Sequence, residues 1–309
     1  MAVPTLRIVT RESPLALWQA NFVKDTLADL HSEIEIEILG ITTEADKLLD
    51  SSLESLSGKG AFVKELEQAL LADKADIAVH SMKDVTINLP DGLTVPVVME
   101  REDPRDVMVS NRYQKFADLP AGARIGTSSL RRRCQLMAIR PDLEILDIRG
   151  NVGTRLRKLD DGEYDALILA AAGLIRLGLQ DRVSEYFDTS LLLPAVSQAA
   201  LGIEICTGKR NVLELISPLS HVPTLQCIDA ERALNRELGG DCHVPIAGFA
   251  RVFGDKVEMQ ALVGRVDGSE IIRVNGVGPA KDSEALGKEL GRELLGLGAG
   301  VILQEIKTQ

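Results

Sequence analysis

Aromatic residues are scarce in this chain, which has one Trp, three Tyr and six Phe among 309 residues. The net charge is −11 and the sequence pI is near 5.0. Proteins that bind nucleic acid typically present a broad basic surface, and those that bind single strands add aromatic side chains for base stacking. The composition therefore argues against nucleic acid as a partner.

Cysteine and long apolar runs are scarce as well. The four cysteines are far apart and form no Cys-x-x-Cys pair: Cys134, Cys206, Cys227 and Cys242. This spacing predicts neither a disulfide framework nor a structural zinc site, and no metal is expected. No run reaches membrane-spanning length, and Met1–Thr10 lacks the basic and apolar regions of a secretory signal. We therefore expect a cytoplasmic protein that has no membrane partner.

The chain does contain a compact basic motif, GTSSLRRR at 126–133, where a strand is predicted to lead into a helix. Cations in the first turn of a helix oppose the macrodipole and cost about 0.3–1 kcal/mol each. Ser128 or Ser129 can cap the helix, and guanidinium groups bind carboxylates or phosphates in a bidentate manner. A solvated surface explains a lone arginine at such a place, but three in a row indicate an anion site.

The segment around this motif is basic although the whole protein is acidic. Residues 124–158 contain nine Lys or Arg residues and three acidic residues. Nucleic acids require a broader basic surface, so a basic area this small favours a small polyanionic ligand. The sequence therefore predicts a binding site for such a ligand.

Strands and helices alternate along the first two thirds of the chain, as in α/β proteins. Two similar series of elements are predicted, with strands at 6–10, 33–39, 76–79, 125–127, 143–148 and 166–170 and helices at 14–30, 61–71, up to 139, and 152–159. Segment 40–60 has no clear period and is predicted to be a loop or lid. Prolines at 104 and 194 interrupt the pattern, so we expect the chain to cross between two lobes there.

The last third of the chain has a different pattern. A helix is predicted near 224–238, followed by strands separated by Gly/Asp turns and a final helix at 282–297. This pattern is typical of an antiparallel sheet with helices on one face. The predicted fold class is therefore α/β, with two α/β lobes and a smaller C-terminal α+β domain.

Polar side chains follow the predicted strands, which is where ligands bind in open α/β sheets. Each one alone can be explained as a surface residue, but together they indicate a polycarboxylate site: Arg11, Ser13, His80, Ser81, Lys83, Asp84, Arg149, Asn151, Arg155 and Arg176. Asp84 is a carboxylate beside a cation. If it faces the cleft among the arginines, it can stabilise a developing cation and move protons.

Cys242 lies in the segment LGGDCHVP at 238–245, between a predicted helix and a predicted strand. Its possible roles are a nucleophile, a covalent anchor and an inert core thiol. The polar neighbours Asp241 and His243 are unlike a core environment, while adjacency in sequence makes a dyad with His243 geometrically awkward. A covalent anchor requires only an accessible thiol.

These residues together resemble the porphobilinogen deaminase family, also called the hydroxymethylbilane synthases, and the resemblance extends over essentially the whole chain. The matching segments are TRESPLALWQA at 10–20, GKG at 58–60, VHSMKD at 79–84, REDPRD at 101–106, GTSSLRR at 126–132, RGNVGTRL at 149–156, AAGL at 171–174 and Cys242 before Val244-Pro245. So many matches in the same order are not expected by chance.

The resemblance implies two α/β lobes like those of periplasmic binding proteins (type II) and a smaller α+β domain that carries the cofactor. The expected boundaries are 1–100 with about 196–218 for the first lobe, 104–194 for the second and 222–309 for the third domain. The implied cofactor is dipyrromethane, made from two substrate units and attached to Cys242 through a thioether.

The implied activity is that of a monomeric transferase of tetrapyrrole (heme) biosynthesis. It deaminates four porphobilinogen molecules, joins them head to tail on the cofactor, and releases linear hydroxymethylbilane. In this scheme Asp84 assists loss of ammonia from the aminomethyl group of the substrate. It also stabilises the resulting cationic azafulvene through the pyrrole N–H.

The resemblance assigns further roles by matching position. Residues that bind the cofactor are implied at Ser81, Lys83, Asp84, Thr127, Ser128, Ser129, Arg131, Arg132 and Gly150. Residues that bind the substrate or the growing chain are implied at Arg11, Ser13, Lys59, Arg149, Arg155 and Arg176, with Lys59 on the lid. Arg133 receives no role, because helical spacing can turn it away from the site.

Four positions depart from the family pattern. Ser55 replaces a lysine that is frequent in bacterial relatives, and Asp241 stands in the usual Gly-Gly-Cys. Ser197 and Ala199 stand in a common Gly-Gln-Gly. Because a Cβ atom restricts φ, we expect the loops near the cofactor and near the second chain crossing to differ in conformation.

Two other functions would use the same residues differently. A two-lobed sensor of polycarboxylates would use the arginines but would leave Asp84 and Cys242 without roles. A cysteine hydrolase would use Cys242 as a nucleophile, but His31, His80 and His221 follow no recognisable triad order.

Overall fold

The structure is a computed structural model that describes residues 5–43, 63–240 and 244–307. The chain divides into two compact units. The first unit contains residues 1–101 and 200–225, and the second contains residues 102–199 and 226–309. Most of the predicted loop at 40–60 lies in the gap between the described ranges 5–43 and 63–240.

Strands and helices are numbered here along the chain. The strands are β1 (Thr5–Arg11), β2 (Glu35–Ile41), β3 (Ile77–Ser81), β4 (Leu93–Val98), β5 (Asp106–Val109), β6 (Arg124–Gly126), β7 (Glu144–Leu146), β8 (Ala166–Ala170), β9 (Glu185–Tyr186), β10 (Leu201–Cys206), β11 (Ile246–Phe253), β12 (Lys256–Gly264) and β13 (Ile271–Pro279). The α-helices are α1 (Pro14–Leu30), α2 (Lys64–Leu71), α3 (Leu130–Ile139), α4 (Val152–Asp160), α5 (Ala171–Arg176), α6 (Arg210–Ile216), α7 (Val222–Glu237), α8 (Ser283–Gly296) and α9 (Ala299–Lys307). Short 3-10 helices include Met82–Asp84 and Phe116–Asp118.

The first unit is built on a five-stranded sheet in the order β2-β1-β3-β10-β4. Strands β1, β2 and β3 are parallel, and β10 is antiparallel to both β3 and β4. Ile8 on one face packs in a core with Leu27 of α1, while Val9 on the other face packs with Leu70 of α2. The period of two along β1 thus supplies a core on each side of the sheet.

The second unit contains a five-stranded sheet in the order β7-β6-β8-β5-β9. Strand β6 is parallel to β7 and β8, whereas β5 is antiparallel to β8 and β9. Ile168 of β8 packs with Leu136 of α3 on one face, and Leu167 packs with Leu156 of α4 on the other. This sheet therefore has helices on both faces, like that of the first unit.

The second unit also contains a three-stranded antiparallel sheet in the order β11-β12-β13. Helices α7 and α8 cover one face through a core that includes Leu234, Met259 and Leu290. Cys134 of α3 packs against the same sheet in a cluster with Phe249. Helix α3, which carries the arginine motif, is therefore held between two sheets of its own unit.

The predicted fold class is confirmed: the described residues form two α/β sheets and a smaller α+β part, and β10 returns to the first sheet after the strands of the second. Strand β7 is shorter than predicted, because the backbone of Ile148 is bound by a serine side chain instead of a strand. Helix α9 was not predicted; it begins after Gly298, whose φ of +103° ends α8. None of the described helices is long and apolar enough to span a membrane.

The segment Ser197 to Ala199, which precedes the unit boundary between residues 199 and 200, has an unusual backbone. Ser197 and Ala199 have φ values of +63° and +72°, although neither is a glycine. The Ser197 N–H donates to Glu231 Oε2 at 2.6 Å, and the carbonyl of Ala199 accepts from Arg176 Nη2 at 2.7 Å. A Cβ atom disfavours a positive φ, yet Ser197 and Ala199 both adopt one. They can do so because the side chains of Glu231 and Arg176, in the same unit, hold this backbone through hydrogen bonds.

This conformation predicts that Ala199→Gly stabilises the protein. A non-glycine residue in the left-handed region costs about 1–2 kcal/mol, part of which glycine loses again through its greater freedom in the unfolded chain. We expect a gain of about 0.5–1 kcal/mol in the free energy of unfolding, measured in urea. Ala200→Gly, at a residue whose φ is not positive, is the matched control and should destabilise; equal effects of both changes would contradict the strain.

The contact between α7 and α8 gives a second prediction. A Cβ atom on Gly287 would lie 2.0 Å from the carbonyl oxygen of Ala230, whereas one on Gly296, at the end of the same helix, would meet nothing within 4 Å. Gly287→Ala should therefore lower the free energy of unfolding by about 1–3 kcal/mol. Gly296→Ala should leave it unchanged or raise it by up to about 1 kcal/mol. Chemical denaturation that finds no loss for Gly287→Ala would refute this close packing.

Candidate active site

Asp84 lies on a short turn at the end of β3. The 3-10 helix Met82–Asp84 follows Ser81 directly, and its first residue is anchored because Met82 N–H donates to the carbonyl of Ala200 at 3.0 Å. Met82 and Val85 are buried on either side of the turn, whereas Asp84 is exposed. The carboxylate is thus presented to solvent from a backbone that is fixed at both ends.

Two close contacts with neighbouring elements of the first unit hold this turn in place. A Cβ atom on Gly202 of β10 would lie 2.1 Å from Met82 Sδ and 2.9 Å from Val95 Cγ1, so the Met82 side chain packs directly against the glycine. The Ser81 hydroxyl accepts a hydrogen bond from Gln19 Nε2 of α1 at 2.8 Å. Both contacts connect the turn to neighbouring elements of the first unit, and they involve residues, Gly202 and Gln19, that the sequence analysis did not single out.

A buried cluster of titratable groups adjoins the same strand. His80 Nε2 lies 2.7 Å from Glu204 Oε2, and both side chains are almost inaccessible to solvent. Burial, followed by the charge of Glu204, raises the pKa of Glu67 on α2. His80 was noted in the sequence only as a polar residue near a strand end, and nothing in its pattern identified the two acidic partners. Since it is buried and paired, its structural role is to join β3 to β10.

Arg11 and Ser13 lie at the end of β1, next to the turn in the sheet. Strands β1 and β3 are parallel neighbours, so their last residues occupy the same edge. Arg11 is half-buried, and the Ser13 hydroxyl caps α1 by accepting from the Ala16 N–H at 3.4 Å. Five of the predicted site residues therefore belong to one edge of the first unit: Arg11, Ser13, Ser81, Lys83 and Asp84.

The carboxyl ends of β6 and β7 form a corresponding edge in the second unit. The Ser128 hydroxyl donates to the carbonyl of Ile148 at 2.8 Å and accepts from the Ile148 N–H at 3.0 Å. The Thr127 N–H donates to the carbonyl of Leu146 at 2.9 Å. These bonds join the two loops that lead into α3 and α4.

Both of these helices begin at this edge with a side-chain cap. Ser129 accepts from the Arg132 N–H at 3.4 Å, and Asn151 accepts from the Thr154 N–H at 2.9 Å. Gly150 has a φ of +104°, and a Cβ there would lie 2.6 Å from Thr154. Two helix N-termini at one sheet edge favour the binding of anions, because their free N–H groups carry partial positive charge.

Arg131 and Arg132 are buried and share one carboxylate. Arg131 Nη1 and Arg132 Nη2 each donate to Asp106 at 2.7 Å, and Asp106 itself is 0% exposed. Burial opposes ionisation of this carboxyl, but the two guanidinium groups outweigh it and hold its pKa well below the usual range. Asp106 belongs to the REDPRD segment, yet no local pattern in that segment predicts this pairing.

The remaining arginines differ in exposure. Arg133, Arg149 and Arg155 are half-buried, and Arg155 Nε donates to the carbonyl of Gly150 at 2.8 Å. Arg176 is buried, and burial lowers the pKa of its guanidinium to about 10. A buried cation of this kind is costly unless an anion accompanies it.

Two predicted residues, Lys59 and the cysteine Cys242, lie outside the described residues, as do Ser55 and Asp241. Among the residues that are described, no group of three or more His, Cys, Asp and Glu side chains could hold a metal ion.

The charges of the second unit fit a ligand that bears carboxylates. Arg131 and Arg132 have one carboxylate between them, and Arg131 Nε is buried without a hydrogen-bond partner among the described residues. The cluster therefore retains one positive charge inside the protein, beside two helix N-termini. The acetate and propionate groups of a dipyrromethane match this requirement, whereas an apolar ligand would leave the charge unbalanced.

Several solved structures are similar to this chain at low identity. A putative methionine-binding lipoprotein from Bacillus subtilis is 12% identical, covering 70% of this chain and 90% of that one, with a TM-score of 0.46. Lipoprotein Tp32 from Treponema pallidum is 14% identical, with coverages of 71% and 91% and a TM-score of 0.45. The aliphatic sulphonate binding protein SsuA from Escherichia coli is 16% identical, with coverages of 76% and 70% and a TM-score of 0.42. Similarity at this level identifies no ligand for this chain.

Two family models match nearly the whole sequence. The model described as porphobilinogen deaminase, dipyromethane cofactor binding domain, matches residues 6–214, and the model of the porphobilinogen deaminase C-terminal domain matches residues 225–296. The first match includes the Asp84 turn and the arginine motif. The chain therefore belongs to the porphobilinogen deaminase family, the dipyrromethane-dependent transferases that assemble hydroxymethylbilane from porphobilinogen.

Proposed function

We propose that Asp84 is the catalytic residue of this hydroxymethylbilane synthase and that the basic residues of both units bind the carboxylates of the cofactor, the substrate and the growing chain. The observation that supports the role of Asp84 most directly is its exposed carboxylate on a turn that is buried on both sides. A group that must act on many successive substrate rings needs such a fixed position.

The chemistry of the substrate explains why a carboxylate is required. Loss of ammonia from the aminomethyl group leaves positive charge on the pyrrole ring and its methylene carbon. The carboxylate of Asp84 can accept a hydrogen bond from the pyrrole N–H and stabilise this charge as it develops. When bound, the dipyrromethane supplies the pyrrole α-carbon to which the activated ring is joined, and the hydrogen on that carbon is lost as a proton.

The basic residues bind the carboxylates of the ligand and take no part in the bonds that form and break. Each porphobilinogen ring bears an acetate and a propionate, so each addition brings two further negative charges that must be neutralised. We assign the cofactor carboxylates to Lys83, Ser129, Arg131 and Arg132, with Ser81, Thr127, Ser128 and Gly150 shaping that site. We assign the incoming ring and the growing chain to Arg11, Ser13, Arg149, Arg155 and Arg176, with Lys59 as a further contact.

We further propose that Cys242 is the attachment residue and that the protein acts as a cytoplasmic monomer that has no nucleic acid partner. Residues 1–100 with about 196–218, 104–194 and 222–309 are proposed as its three domains. The separate cores of the three sheets support this division.

Asp84→Asn tests the catalytic role. The amide has the same shape but no negative charge, so we expect kcat to fall by about 100-fold or more while the thermal midpoint and the pyrrole adduct are retained. Ammonia release from porphobilinogen measures the rate. Asp91→Asn, at another exposed carboxylate of the first unit, is the control and should have normal activity. If Asp84→Asn retains most of its activity, the role is wrong.

Cys242→Ser tests the attachment site. Intact mass should show that the normal chain is heavier than its sequence by two linked pyrrole units and that the variant has lost this addition. Cys206→Ser, at a half-buried thiol, should keep the addition. An unmodified mass for the normal chain from cells that make porphobilinogen, or an adduct that survives in Cys242→Ser, would contradict the assignment.

A further inference from the structure

Asp106 is a buried acidic residue to which the reaction assigns no role. It is the first residue of β5, where it pairs with Ala170 of β8, and its side chain is 0% exposed. Removing an ionised carboxylate from water is costly, so its retention in the core requires several compensating bonds. Those bonds connect it to two residues proposed to bind the cofactor.

The two oxygens of Asp106 have different partners. Oδ2 accepts from Arg131 Nη1 at 2.7 Å, and Oδ1 accepts from Arg132 Nη2 and Nε at 2.7 and 3.2 Å. Oδ1 also accepts from Gln198 Nε2 at 3.0 Å. Asp106 therefore fixes the orientation of both guanidinium groups at once.

The two arginines differ in how many of their guanidinium nitrogens are still without a hydrogen-bond acceptor in the described part of the protein. Every nitrogen of the Arg132 guanidinium is engaged, because Nη1 also donates to the carbonyl of Ile168 at 2.9 Å. Arg131 donates through Nη1, to Asp106 and to the carbonyl of Leu193, and its Nε has no partner among the described residues. The cluster thus has two cations, one anion and one under-used guanidinium.

We propose that Asp106 is a positioning residue for dipyrromethane binding, which holds Arg131 and Arg132 as a cluster with one surplus positive charge and orients Arg131 toward a single ligand carboxylate. This inference rests on the proposed function of the two arginines and adds a stoichiometry to it. The pair accepts one carboxylate between them, rather than one each, because Asp106 already occupies the place of the other.

The test measures how much of the protein carries the pyrrole adduct, using intact mass on freshly purified full-length chains. We expect Asp106→Asn to reduce the loaded fraction by about tenfold or more. The two guanidinium groups lose their shared negative charge in this variant and no longer keep their relative orientation. Asp106→Glu keeps the charge but moves the carboxylate by one methylene group, and we expect an intermediate loss. Full loading of Asp106→Glu would overturn the positioning role, and this second variant remains informative if Asp106→Asn does not fold.

Two further variants separate positioning from general stability. Gly287→Ala lies on α8, away from the arginines, and should keep full loading at a comparable loss of thermal stability. The double variant Asp106→Asn with Arg131→Gln should lose less loading than the two single losses combined, since Asp106 acts in part through that arginine. Equal loading losses in Gly287→Ala and Asp106→Asn, or an additive loss in the double variant, would overturn the inference.

The same variants distinguish failure of the proposed function of Arg131 from failure of the positioning role of Asp106. Full loading of Arg131→Gln would remove Arg131 from the cofactor site, and this inference with it. Reduced loading of Arg131→Gln combined with full loading of Asp106→Asn would leave the arginine role intact and refute the role of Asp106 alone.

Discussion

The binding site of the second unit depends on how positive charge is kept inside the protein. Arg131 and Arg132 are adjacent, buried and located in the first turn of a helix, where the macrodipole disfavours cations. One buried carboxylate, Asp106, makes this arrangement stable in the absence of a ligand, and it leaves one charge uncompensated. A carboxylate-bearing cofactor is the natural complement of such a cluster, because it supplies the missing anion without another acidic side chain.

The carboxylate proposed to be catalytic, Asp84, differs from the buried Asp106 in that it is open to solvent. Asp84 is exposed, and its backbone is held by two neighbours: Met82 packs against Gly202, and Ser81 accepts a hydrogen bond from Gln19. The acidic group can therefore remain accessible to successive rings while its backbone stays fixed. In each unit, the polar residues lie at the carboxyl edge of a parallel part of the sheet, and the common direction of the parallel strands determines which edge that is.

Much of this could be predicted from the sequence where the signal is local. The helix at 14–30 and the strand at 166–170 were predicted at the bounds that the structure has, because a Ser-Pro start and a continuous apolar run are strong local signals. The motif GTSSLRRR correctly indicated a capped helix start, and Ser129 is its cap. The family resemblance was confirmed by matches over nearly the whole chain.

The partners of the charged residues could not be predicted in this way. Asp106 lies 25 residues from Arg131 in sequence, and Glu204 lies 124 residues from His80. The first pair forms because α3 packs on the sheet that contains β5, and the second because β3 pairs with β10. The left-handed conformation of Ser197 and Ala199 likewise runs against their own preference, since distant side chains impose it. Long-range pairing therefore determines the charge balance of the site, and sequence periodicity contains no information about it.

The surplus charge can be tested most directly by comparing the free energy of unfolding of the pyrrole-loaded chain with that of the same chain produced in cells that make no porphobilinogen. We expect the loaded form to be more stable and the difference to shrink in Arg131→Gln, because the cluster then has no surplus positive charge for the ligand carboxylate to neutralise. Equal stability of the loaded and pyrrole-free forms would contradict a surplus charge in this cluster.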